Sequence, residues 1–182
     1  MILFPSNQRT LIYDVDYNSF PMKWFENESW KKFRDEIREA FSKMEGLGIF
    51  KFIETKEIKE WETADIRIKF AKLDGIPDDP HIVDLYGKCT VSTKGGCRSA
   101  VITLDADQKW GHTWWQVNNP FNDSVHFRSV LMHEILHSLG WEDHTSPDVR
   151  EWSLMAVENA GGYSKGIPLY DRWIIRKLYG LD

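Results

Sequence analysis

Twelve consecutive residues, His133 to His144 (His-Glu-Ile-Leu-His-Ser-Leu-Gly-Trp-Glu-Asp-His), constrain this chain more than any other stretch. In a helix, His133 and His137 lie one turn apart on the same face. Two imidazoles held that way can bind one zinc ion. Glu134 sits beside the first of them and can reach a water on the metal without itself being a ligand. Gly140 can end the helix in a left-handed turn, a conformation that strains any residue with a Cβ. Such a turn brings Asp143 or His144 back toward the metal as third ligand.

The remaining sequence has to house that helix. With 182 residues the chain is long enough for one domain with a sizeable core, and residues 1–182 are read as a single domain without repeats or linkers. The net charge of −5 comes with no basic stripe, which argues against a nucleic-acid partner. No apolar run approaches the roughly 20 residues of a membrane span. The start, Met1 to Arg9, lacks the basic and long apolar regions of a signal peptide. An extracellular location therefore requires a removed leader or another export route. Cys89 and Cys97 are separated by a short Gly-containing segment, so a disulfide and two free thiols are both open.

Apolar periodicity places the elements. Arg9 to Tyr17 alternates as a strand, Phe50 to Glu54 is a short strand, and Ala64 to Phe70 alternates cleanly. Trp30, Phe33, Ile37, Phe41 and Met44 follow the helical period, so a helix is expected from about Trp30 to Met44, capped by Ser29, after a loop holding Pro21 and Asn27. Lys72 to Gly96 reads as a long surface loop with one short strand near Lys88 to Ser92. Ala100 to Leu104 reads as a buried strand, followed by an acidic turn. The helix with the paired histidines is expected from about Ser124 to Leu139, capped by Asn122 or Asp123. A final helix spans Leu169 to Leu178 and stops at Gly180.

The spacing His133-Glu134-x-x-His137-x-x-Gly140-x-x-Asp143, with Met155 following in Ser-Leu-Met-Ala, resembles the metzincin metalloendopeptidases and, among them, the matrixins. The likeness extends along the chain in the right order. Leu11-Ile-Tyr-Asp-Val resembles that family's first strand, and Ala64-Asp-Ile-Arg-Ile-Lys-Phe its Ala-Asp-Ile strand. Ile102 to Trp110 resembles the strand and acidic turn before the active-site helix, and Tyr170 to Gly180 the closing helix. Two departures stand out. Most matrixins have His at the third-ligand offset, where this chain has Asp143 followed by His144, an order found in some small bacterial metzincins. The family's structural-zinc loop lacks its usual His-x-Asp pattern here, although Asp78, Asp79, His81 and Asp84 lie in it, and no structural zinc is expected.

The resemblance implies an α+β metzincin fold. It has a twisted, mostly parallel sheet on two long helices, an irregular C-terminal part and a final helix. It further implies a zinc endopeptidase acting on an extended polypeptide as a monomer, with no membrane or nucleic-acid partner. Zinc would be held by His133, His137 and Asp143 (His144 being the alternative), with Glu134 as general base. Met155 would form the floor beneath the metal, and Tyr163 would lie near the pocket for the residue after the cut bond. Asp105 and Asp107 are the calcium candidates. The competing class is an inactive metzincin-like binding module with a structural metal site. Glu134 argues against it, because a structural site needs no such carboxylate.

Overall fold

The computed structural model describes residues 3–5, 9–26, 28–55, 63–73, 86–94, 97–118, 124–142, 153–155 and 164–181, with the backbone alone at 24, 25, 94, 97 and 114. A five-stranded sheet, in the order β2-β1-β3-β5-β4, is built from β1 (Thr10–Val15), β2 (Lys51–Glu54), β3 (Ile66–Ala71), β4 (Gly87–Lys94) and β5 (Cys97–Asp105). The first four strands in that order run parallel, and β4 closes the sheet antiparallel to β5. The mixed α+β architecture with a mostly parallel sheet is the one expected from the sequence.

Strand β3 shows how the pattern becomes structure. Ile66, Ile68 and Phe70 are buried, while Arg67, Lys69 and Ala71 between them are half-exposed. The buried side receives α2 (Ser29–Glu45), whose inward stripe is Phe33, Ile37, Ala40, Phe41 and Met44. Tyr13 of β1 stacks on Phe41 with ring centroids 3.8 Å apart. Phe33 meets Phe127 edge-to-face at 4.8 Å, joining α2 to α4 (Phe127–Ser138). Truncating such a residue to Ala typically costs about 3–5 kcal/mol.

Helix α4 is buried on nearly every side, from Phe127 to Leu136. It therefore shows little amphipathic period, and its start does not follow the sequence pattern. It begins at Phe127, capped by His126 rather than by Asn122 or Asp123, because Val125 and His126 form a short strand β7 paired with β6 (Trp110–Gly111). Residues 122 and 123 lie outside the described part. Arg128 in its first turn is a cation at the end where the helix dipole disfavours one. It is balanced by ion pairs to Glu36 (3.6 Å) and Glu39 of α2.

Three further expectations are corrected. Glu28, in the left-handed region (φ 59°), precedes α2, and Ser29 is its first residue rather than its cap. The Pro21 loop contains a short helix α1 (Met22–Glu26), and a one-turn helix α3 (Trp114–Val117) follows β6. The strand expected near Lys88 to Ser92 is an eight-residue hairpin arm. The final helix α5 (Leu169–Leu178) has the expected bounds.

The hairpin also decides the cysteines. Cys89 pairs with Ile102, whereas Cys97 pairs with Lys94. Their α-carbons are thus separated by five strand residues, roughly 17 Å. A disulfide needs about 7 Å or less, and Cys89 is a free thiol.

Candidate metal and catalytic site

The site is assembled on the last two turns of α4. The rings of His133 and His137 stand nearly perpendicular, at 85°, with centroids 4.6 Å apart. Each Nδ1 faces a backbone carbonyl: His133 the carbonyl of Leu154 at 2.7 Å, and His137 that of Trp141 at 2.7 Å. A carbonyl oxygen only accepts, so both Nδ1 atoms must carry the proton. In the neutral rings neither Nε2 then carries a proton, and these two atoms face each other at 3.0 Å. Two converging lone pairs repel unless a cation lies between them. A tetrahedral zinc with Zn–N bonds of about 2.0–2.1 Å spaces two ligand nitrogens roughly 3.3 Å apart. The donor set therefore fits a zinc ion shared by the two histidines.

Each orienting carbonyl has its own support. Beyond Leu139 the helix closes with Gly140 at φ 102°. The Gly140 N–H donates to the His137 carbonyl (2.9 Å) and the Trp141 N–H to the Leu136 carbonyl (3.1 Å), the pairing of a Schellman turn. That turn carries the Trp141 carbonyl back to His137. On the other side, Asp171 of α5 is fully buried and accepts from the Ser153 hydroxyl (2.6 Å) and the Leu154 N–H (2.6 Å). The Ser153 hydroxyl in turn accepts from the Met155 N–H at 3.0 Å. The carboxylate thus fixes the turn whose carbonyl holds His133. Metal-ligating histidines are commonly oriented in this way through the nitrogen that does not bind the metal.

Glu134 is buried at the start of the edge strand β4, close against Gly87. The Cys89 thiol, two residues along the same strand, is pushed up to about 12, chiefly by burial and then by the Glu134 charge.

The matrixin family model matches residues 7–180. The chain belongs to the matrixin family. Metalloendoproteinase 1 of Glycine max is 32% identical over 156 residues, which are 82% of this chain and 46% of that protein. The chain thus spans about half the length of the curated relative it matches.

In this matrixin chain the sequence-selected residues fall into three groups. His133, Glu134, His137 and the turn with Met155 come together, Met155 being fully buried. Asp143, His144 and Tyr163 lie outside the described residues, as do Asp78, Asp79, His81 and Asp84. Asp105 and Asp107, at and just after the end of β5, form the third group. The Asp105 carboxylate accepts from the Asp107 N–H (3.1 Å), and Asp107 pairs with Lys72 (3.7 Å). Among the described residues no group of three or more His, Cys, Asp or Glu side chains converges as a metal cage. Sequence reasoning missed Asp171 and Gly87. Asp171 carries no local signal beyond its place in a helix. Gly87 opens a strand, where an isolated glycine often marks a close approach.

Proposed function

We propose that this matrixin chain is a zinc-dependent endopeptidase. The observation that carries the reading is the convergence of the His133 and His137 Nε2 atoms at 3.0 Å, with each Nδ1 tied to a carbonyl and Glu134 adjacent. The 32% identity to a plant metalloendoproteinase supports it. His133 and His137 supply two ligands and Asp143 the third, with His144 as its alternative. Zinc, when bound, polarises the scissile carbonyl and lowers the pKa of the attacking water. Glu134 takes the water's proton and delivers it to the leaving amine. Met155 packs beneath the ligand pair as a hydrophobic floor. The substrate lies extended along β4, the edge of the sheet, pairing through main-chain hydrogen bonds.

Elemental analysis of the purified chain tests the metal, with one zinc per chain as the expected result. Cleavage of a quenched peptide should stop with chelator and return with zinc. Glu134→Ala should keep its zinc and lose cleavage by at least about 10²-fold. An active Glu134→Ala enzyme removes the general-base role. Comparing the zinc affinities of Asp143→Ala and His144→Ala identifies the third ligand, and an undiminished affinity in Asp143→Ala overturns that assignment.

A further inference from the structure

Arg98, on β5, is buried (6% exposed), yet no carboxylate pairs with it among the described residues. Taking a guanidinium out of water costs several kcal/mol unless its charge and donors are matched. Here the match is the C-terminus of α4. Arg98 Nε donates to the Ser138 carbonyl at 2.9 Å, and Nη2 to the His137 carbonyl at 3.3 Å. The face of Phe4 backs the guanidinium, with the ring centroid 5.4 Å from Cζ. The Tyr179 hydroxyl donates to the next carbonyl, Leu139, at 2.8 Å.

A helix ends with four carbonyls that have no partner within it. In α4 all four are met: Leu136 by the Trp141 N–H, His137 by the Gly140 N–H and Arg98, Ser138 by Arg98, and Leu139 by Tyr179. A single water-exposed turn would need none of this. The consequence reaches the metal-facing ring, because the same turn presents the Trp141 carbonyl to His137 Nδ1. Arg98 grips the helix at His137 and Ser138, Gly140 reverses the chain, and Trp141 returns to hold the imidazole. The cation also stands at the helix end where the dipole favours one.

We propose that Arg98 is a positioning residue for the metal centre. By clamping the His137 and Ser138 carbonyls it fixes the turn through Gly140 and Trp141, and so sets the aim of His137. This rests on the reading of His133 and His137 as zinc ligands. A guanidinium suits the task because its planar fork serves two adjacent carbonyls at once. A lysine ammonium keeps the charge but not the fork.

The test uses the full chain as wild type, Arg98→Lys and Arg98→Gln. Zinc affinity is measured by chelator competition, and melting temperature with and without zinc. Wild type should bind one zinc. Arg98→Gln should bind zinc about 10–100-fold more weakly, the range seen when a residue that orients a ligand is lost. Arg98→Lys should fall between the two. Zinc should raise the melting temperature less in both variants than in wild type. If either folded variant keeps its zinc affinity within about twofold and loses the same melting temperature in both forms, Arg98 is a fold-stabilising cap only and the proposal is overturned. Arg98→Lys answers the question even where Arg98→Gln does not fold. A wild type without stoichiometric zinc instead overturns the ligand reading, and with it the role of Arg98. That failure is distinct, because it shows before any variant is compared.

Discussion

Gly87 leaves no gap between β4 and Glu134. A Cβ at Gly87 would stand 2.9 Å from Glu134 Oε1, 3.0 Å from its Cγ and 3.1 Å from Val130 Cγ1. The edge strand can approach the carboxylate only because this residue has no side chain. Gly87→Ala must push the carboxylate aside, since the branched Val130 on the helix has little freedom to yield. The expected outcome is a loss in kcat of up to about 10²-fold, as for a catalytic group misplaced by about 1 Å. Zinc content should be unchanged and the stability loss about 1–3 kcal/mol. Steady-state kinetics beside metal analysis checks this, and a variant with wild-type kcat shows that Glu134 has room to relax.

Asp171 acts on the site from the far side of the chain. Its carboxylate receives both the Ser153 hydroxyl and the Leu154 N–H at 2.6 Å, and the Leu154 carbonyl holds His133. Asp171→Asn keeps the shape but turns an NH₂ toward one of the two donors. Hydrogen bonds to charged groups are worth about 1.5–3 kcal/mol each, and a buried unmatched donor adds to the loss. A destabilisation of about 3 kcal/mol should lower the melting temperature by roughly 6–12 °C for a chain of this size. Zinc affinity should fall with it. Calorimetry and chelator competition on the same sample measure both, and an unchanged affinity would separate the Ser153 turn from the metal site.

These two residues mark the limit of what the sequence makes legible. Local period was enough for β3, with Ile66, Ile68 and Phe70 in register, and for α5, whose bounds are those read from Leu169 and Leu178. The pair His133 and His137 announced itself because one helical turn brings the rings together. Period fell short at β4, where it gave only Lys88 to Ser92 of a strand running from Gly87 to Lys94. Its outward residues Lys88, Thr90 and Ser92 are polar, and its inward face starts with Gly87 and Cys89, so no apolar alternation exists to be read. It failed again at the start of α4, where burial on all sides erases the amphipathic signal and a strand residue, His126, provides the cap. Arg98 and Asp171 were invisible for another reason. Their partners are Ser138 and Ser153, 40 and 18 residues away, and only the folded chain brings them together.

The cysteines should behave as two separate thiols. Their register places them roughly 17 Å apart on the hairpin. Burial, then the charge of Glu134, pushes the Cys89 thiol up to about 12, so at neutral pH it is protonated and a poor nucleophile. Reducing agent should leave the melting temperature unchanged, and alkylation of native protein at pH 7 should leave Cys89 unmodified long after a small free thiol has reacted. Peptide mass mapping without reductant reads both outcomes. A Cys89–Cys97 disulfide in that map would require the hairpin to shift its pairing.

Acid should weaken the fold through His112 and His126. His112 packs against Phe33 at 4.7 Å and Phe127 at 6.1 Å, and His126, the residue before α4, has Nδ1 2.6 Å from the Ser129 hydroxyl. Burial, aided by the positive charges of Lys32 and Arg128 around His112 and of Arg128 around His126, lowers both to about 4 from an ordinary 6.5. Between those values the unfolded chain binds protons that the folded chain refuses, so stability falls as pH drops from 6.5 toward 4. Below about 4 both states are protonated and these two groups add no further slope. One pKa unit corresponds to about 1.4 kcal/mol, and after allowance for partial solvent screening the pair should contribute a few kcal/mol across the window. Urea midpoints of metal-free protein at pH 7, 5.5 and 4.5 measure the slope. His112→Phe keeps the ring packing and His126→Asn keeps a polar partner for the Ser129 hydroxyl, so the double variant should fold and lose much of the slope between 6.5 and 4. A double variant as pH-sensitive as wild type would assign the acid response to other groups.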